Sequence, residues 1–166
     1  MATVSSKERG ARSSKERVAQ AARAAGLTID IHDMPASTRT AEEAAAACGC
    51  EVAQIVKSLV YLGAESDRVI LLLVSGVNRV DEAGVAERIG EPLRRPDGRT
   101  VRARTGFAIG GVSPLGHAGD VAVHIDEDLL RFDTVWAAAG APNSVFQATP
   151  EDIRRATGAT PLRMRA

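Results

Sequence analysis

Aromatic residues are scarce in this chain: one Trp, one Tyr and three Phe make up 3% of it. A surface that binds single strands by stacking base after base needs more of them, and any core must be built from Val, Leu, Ile and Ala. An excess of one charge is also missing. Lys plus Arg and Asp plus Glu number 21 each, for a formal net charge of zero. Bulk-charge wrapping of nucleic acid is therefore disfavoured, and no DNA partner is expected. No apolar run approaches the roughly 20 residues of a membrane-spanning helix. The longest, Val69 to Val74, is strand-length. The opening segment, MATVSSKERGARSSKER, lacks the apolar stretch of a secretory signal, so a cytoplasmic protein with no membrane partner is expected. Cys48 and Cys50 form a CGC tripeptide with no second Cys/His pair to complete a zinc site. A disulfide is not expected in a reducing compartment, and both thiols read as small, partly buried apolar groups. There is no GxSxG elbow, HExxH, Walker loop or GxGxxG after a strand. No metal and no cofactor are implied.

What is present suits one domain of mixed secondary structure. The 166 residues are 45% hydrophobic, enough for one core. Residues 1–12 are polar and read as a flexible tail, leaving 13–160 as the domain. The pattern predicts a helix from Ser14 to Ala25, ended by Gly26, then an alternating strand from Leu27 to His32. Thr40 and Glu43 form a capping box for a helix over Ala41–Cys48, which Gly49 stops. Strands are expected over Gln54–Leu62 and Arg68–Val74, joined by a hairpin loop at 63–67. The second is apolar throughout its centre and so covered on both faces. Asp81 caps a short helix ending at Gly90, and another covers Arg99–Arg104. Val121–Ile125 and Thr134–Ala138 read as further strands, and Thr149-Pro150 opens a last helix. Helices and strands alternate without a regular βαβ rhythm or a repeat, which implies an α+β (mixed α/β) domain.

Three features stand out chemically. Lys57 lies in IVKSLVY, an otherwise apolar strand. It either snorkels from an edge or points into a cleft to hold an anion. Asn78 and Arg79 follow the next strand as a polar exit of the kind that lines pockets, and both are candidates for binding substrate. The loop Gly110-Gly111-Val112-Ser113-Pro114 can turn several backbone amides towards one point, as a carbonyl or oxyanion requires, or can be a plain turn. His117 closes that loop, whereas His32 and His124 fall in strand-like runs and read as ordinary histidines. Two basic clusters, Lys7 to Arg17 and Arg94 to Arg104, are open to two readings, solvated helix faces or contacts to a polyphosphate backbone.

In matching order, STRTAEEAAAACGCEVAQIVKSLVY, VSGVNRVD, RTGFAIGGVSPLGH, IDEDLL and VWAAAGAPNSVF resemble the YbaK/ProX family. These are trans-editing aminoacyl-tRNA deacylases related to the insertion domain of bacterial prolyl-tRNA synthetase. The resemblance spans roughly residues 14–158 and implies a single domain with a mixed, barrel-like sheet flanked by short helices. It also implies that Lys57 contacts the terminal-adenosine end of the tRNA, while the backbone of Gly110, Gly111, Val112, Ser113 and Pro114 holds the aminoacyl carbonyl. Ser37, Thr38 and Thr40 match a polar segment beside the pocket. Gly140, Pro142 and Asn143 belong to a loop that closes it from the other side. His117 is the one nearby candidate for a titrating role. The implied reaction is hydrolysis of a mischarged tRNA in trans. Its implied partners are the acceptor end of aminoacyl-tRNA and prolyl-tRNA synthetase, with the oligomeric state left open. GAPNSVF replaces the glycine/lysine/aspartate stretch of the cysteine-specific branch, which points to tRNA-Pro carrying a small side chain such as Ala, Ser or Cys rather than to cysteine alone. Two other readings stay open: a non-catalytic tRNA- or nucleic-acid-binding module, and a hydrolase of another small activated ester.

Overall fold

The computed structural model describes residues 6–166, with side chains from Ser14 onward. The first helix, α1, runs Ser6–Ala24, so it begins well before the expected Ser14. Lys7, Glu8, Arg9, Ala11 and Arg12 are all good helix formers, and the polar composition that suggested a tail is equally that of a solvated helix. Of the expected tail, residues 1–5 lie outside the described residues.

Among the described residues the sheet has eight strands in the order β1-β7-β6-β2-β3-β5-β8, with β4 pairing β2 off this path. These are β1 (Ile31–Asp33), β2 (Ile55–Gly63), β3 (Val69–Ser75), β4 (Leu93–Arg94), β5 (Val121–Asp126), β6 (Val135–Ala138), β7 (Ser144–Ala148) and β8 (Thr160–Leu162). The ladders β2–β6, β3–β5 and β5–β8 are parallel; the others are antiparallel. The sheet is thus mixed, as expected, and its path is open, ending at β1 and β8.

All seven residues of β3 are buried. Leu71 and Leu73 enter one apolar cluster, with Val18 and Ala22 of α1, Phe107, Phe146 and Ile153. Ile70, Leu72 and Val74 enter the other, with Tyr61, Val85 and Met164. A strand covered on both faces favours apolar side chains throughout, as at Val69–Val74, and burying each contributes about 1.5–3 kcal/mol. Four further helices cover the sheet: α2 (Ala41–Cys48), α3 (Glu82–Ile89), α4 (Gly98–Thr105) and α5 (Pro150–Thr157).

Helix ends follow local chemistry. The Thr40 hydroxyl accepts from Glu43 N at 3.1 Å, and Gly49 ends α2 in a left-handed conformation at φ 68°. Thr149 accepts from Asp152 N, with Pro150 in the first turn of α5. Asp81 precedes α3 as expected but makes no side-chain cap; its main chain serves instead, accepting from Val85 N and donating to Met164 O.

The strand expected over Leu27–His32 is shortened to Ile31–Asp33, because β7 pairs only with those three residues. Leu27 is buried and Ile29 packs on the core. The alternation there records burial without a ladder.

Candidate active site

Strand β2 is the base of the site. Along one side it pairs with β3 from Val56 to Leu62. Along the other it pairs with β6 only at Ile55 and Val56, and with β4 only at Leu62 and Gly63. The middle of β2 is therefore uncovered on that side. A cavity of about 550 Å³ opens there, lined by Lys57 to Tyr61, by Trp136, Ala137 and Ala138 of β6, and by Thr38, Thr40, Arg95, Ile109, Gly110 and Val112. The size suits a small ligand group.

Lys57 is half-buried, and its Nζ donates to the main-chain O of Asn78 at 2.5 Å. Burial lowers its pKa, and the carboxylates of Glu42 and Asp126 oppose that shift. An ammonium has three donors, so fixing one on Asn78 leaves two for a ligand in the cavity.

The Asn78 main chain is itself held. Its side-chain amide donates to Asp126 Oδ2 at 2.9 Å and Asp128 Oδ2 at 2.8 Å. Asp126 is fully buried and also accepts from Ser75 N and Asp128 N. The Asp128 carboxyl is held down at about 2, first by Asn78 and then by Arg165 and Arg131. Asn78, with Arg79, was expected to line the pocket as a substrate-binding residue. The Asn78 side chain is instead turned onto the two carboxylates, and only its carbonyl reaches the site, through Lys57. Neither Asn78 nor the exposed Arg79 lines the cavity.

The glycine-rich loop meets the cavity at Gly110 and Val112. Gly110 has φ 95°, a conformation that glycine adopts without steric cost. The Gly111 amide closes a turn onto Ala108 O at 3.0 Å, so it is not free for a ligand. Gly110 N, Val112 N and Ser113 N have no protein acceptor among the described residues, and of these three residues Gly110 and Val112 line the cavity. Gly111, Ser113 and Pro114 sit behind them, with Ser113 and Pro114 buried. Ser113 Oγ accepts from Leu115 N.

His117, expected as the titrating candidate, does not line the cavity. Its Nε2 sits 2.7 Å from Ser113 O, and its ring packs edge-on against Phe107 at 5.1 Å. Burial pushes its pKa down. The ring braces the loop from behind, away from the cavity, which corrects the expectation that it titrates in the site. Arg17 of α1 does the same from another side, donating to Gly106 O and Gly116 O while lying over the Phe107 ring.

The loop at 140–143 closes one flank at one remove. Thr38 Oγ1 donates to Pro142 O at 2.7 Å, and Asn143 Nδ2 donates to Met34 O at 2.9 Å. Gly140, at φ 95°, lies so close to α1 that a Cβ would stand 2.9 Å from Ser14 O. Pro142 thus anchors Thr38, Asn143 ties the loop to Met34 and Gly140 packs on α1, and none of the three lines the cavity.

Sequence reasoning missed Asp126, Asp128, Tyr61 and Arg95 as parts of the site. Tyr61 and Arg95 both donate to Glu82 Oε1 at the cavity wall. The signal for Asp126 was present: an acidic residue closing the apolar run VAVHI must find donors if it is buried. Of the basic patch, Arg94 and Arg104 share Asp67. Arg99 and Arg102 are exposed and form no ion pair with the described residues. Among the described residues no group of three or more His, Cys, Asp or Glu is arranged to hold a metal ion, and no helix is long and apolar enough to cross a membrane.

Known proteins resemble this chain in fold and in sequence. The crystal structure of "a putative trans-editing enzyme for prolyl tRNA synthetase" superposes with a TM-score of 0.86 at 43% identity, covering 99% of each chain. The uncharacterized protein YwhH of Bacillus subtilis is 36% identical over 124 residues, 75% of this chain and 78% of that one. The "Putative Cys-tRNA(Pro)/Cys-tRNA(Cys) deacylase EbsC" of Enterococcus faecalis is 27% identical over 118 residues, 69% of this chain and 70% of that one. Residues 35–156, which contain Lys57, the glycine-rich loop and both aspartates, match the aminoacyl-tRNA editing domain, and the chain belongs to that family.

Proposed function

We propose that this protein hydrolyses, in trans and in the cytoplasm, the ester of tRNA-Pro mischarged with a small amino acid such as Ala, Ser or Cys. What supports the reading is that Lys57, Gly110 and Val112 line one mainly apolar cavity and that Gly110 N and Val112 N have no acceptor among the described residues. An aminoacyl ester is already activated, so positioning and carbonyl polarisation account for most of what catalysis requires. The two amides receive the carbonyl oxygen as negative charge develops on it. The two remaining donors of Lys57 hold the anionic terminal-adenosine end. Water adds to the carbonyl carbon, the ester C–O bond breaks, and the ribose oxygen leaves with a proton. The neighbouring ribose hydroxyl of the substrate can orient that water, and His117, bonded to Ser113 O, is not needed as a base.

Selection rests on volume. Walls from Ala137, Ala138 and Val112 admit a short side chain, and each methylene is worth only about 1–3 kcal/mol in such a pocket. Discrimination among Ala, Ser and Cys should therefore be modest, with tRNA features and association with prolyl-tRNA synthetase supplying the rest. A panel of tRNA-Pro charged with Ala, Ser, Cys or Pro tests this by release of labelled amino acid. Release of the three small residues with Pro retained is expected. Release of Cys alone would contradict the volume argument. Binding of the tRNA without release of any amino acid would point to a non-catalytic module.

A further inference from the structure

The uncovered stretch of β2 has a consequence for which chemical group the cavity recognises, and it rests on the deacylase reading above. Hydrogen bonds at both ends fix the direction of the strand's peptide groups. Gly76 N donates to Ile55 O, and Gly63 N donates to Arg68 O. Odd-numbered residues of β2 therefore direct N–H and C=O towards β3, and even-numbered ones direct theirs the other way, because an antiparallel ladder alternates. The even-numbered Val56 meets β6 and Leu62 meets β4. Ala64, just past the strand, keeps the parity by donating to Pro92 O. Between them Ser58 and Val60 present two N–H and two C=O groups to the cavity with no strand opposite. Backbone polar groups are strongly disposed to find partners. Beside them, Ser58 Oγ is buried with no hydrogen-bond partner. An apolar cavity wall thus carries a short row of polar groups, with carbonyl oxygens among them.

We infer that this edge is the subsite for the α-amino group of the aminoacyl ester, which donates to the Ser58 and Val60 carbonyl oxygens and to the Ser58 hydroxyl. A carbonyl accepts and cannot donate, so two main-chain oxygens select a donor-rich, cationic group. Lys57 does not oppose this by repulsion at close range, since side chains alternate along a strand and its Nζ is drawn across to Asn78 O. The ester carbonyl goes to Gly110 and Val112, so amine and carbonyl are read by different walls. An N-acylated substrate, such as a peptidyl-tRNA, would keep a single uncharged N–H in place of the ammonium's three donors and meet the β2 edge with its acyl group, so the site spares it.

The test compares the same tRNA carrying alanine and carrying propionate, its analogue without the amine, under single turnover. Each rate is divided by that substrate's spontaneous hydrolysis, since the amine itself activates the ester. The enhancement for propionyl-tRNA is expected to be at least tenfold lower. A Ser58→Ala enzyme should narrow that gap by slowing alanyl-tRNA alone. Equal enhancement for both substrates overturns the amine subsite while leaving the deacylase reading intact. Slowing of both substrates alike by Ser58→Ala overturns the hydroxyl's part. Hydrolysis of neither above the spontaneous rate overturns the deacylase reading and the subsite together.

Discussion

At the scale of single residues, Gly110 separates conformation from packing. Nothing lies within 4 Å of where its Cβ would stand, yet its φ is 95°. Gly110→Ala should cost about 1–2 kcal/mol of stability through backbone strain, while deacylation falls about tenfold or more as the amide direction shifts. Thermal melting beside single-turnover rates checks this; a large drop in Tm with little loss of rate would make the loop merely structural. His117 gives a pH signature. Burial lowers its pKa from 6.5, so the fold favours the neutral ring and the unfolded chain takes the proton more readily. Stability is then present above the ordinary pKa and is lost as pH falls below it. His124 is pushed down by burial in the same sense, so His117→Gln should flatten only part of the loss in urea midpoint between about pH 7.5 and pH 5.5. An unchanged slope would mean that the ring is not held neutral. Lys57 was legible in the sequence because a lone lysine conflicts with an apolar strand. His117 was misjudged because it stands four positions along the loop from Ser113, and only the fold decides whether such a side chain turns inward to brace or outward to react.

At the scale of elements, β2 and β3 were readable because a buried strand writes its burial at every position. Strands β4, β7 and β8 were not: β4 has two residues and β8 three, and β7 follows a turn-rich GAPN that hides its start. The gap in the sheet that makes the cavity depends on where β6 and β4 stop pairing with β2, a long-range register that no local pattern carries. Asn78 links elements, since it joins β3's exit to Asp126 and Asp128 and holds Lys57 by its carbonyl. Asn78→Asp would set a third carboxylate against two others. It should destabilise the fold by about 2–4 kcal/mol near neutral pH, with the deficit shrinking on acidification as the shared site takes up a proton. Urea titrations at about pH 7.5 and pH 5 read both effects, and a deficit independent of pH would refute the carboxylate contact.

At the scale of the whole molecule, zero net charge hides an uneven surface. Arg99 and Arg102 are exposed on α4, whose neighbouring Arg95 reaches the cavity wall. Reversing both to Glu should weaken tRNA binding and reduce the slope of log affinity against log salt by about one for each phosphate that is no longer neutralised. Unchanged affinity would place the acceptor stem on another face. We propose the cavity beside β2 as an ester-hydrolysing site organised by Lys57. The most direct test is the single-turnover hydrolysis of alanyl-tRNA-Pro by the wild type and by Lys57→Ala, each against buffer alone. The wild type should exceed the spontaneous rate by about a hundredfold or more, and Lys57→Ala should fall back close to it with an unchanged circular dichroism spectrum. A Lys57→Ala enzyme as fast as the wild type, or a wild type no faster than buffer, would contradict the account.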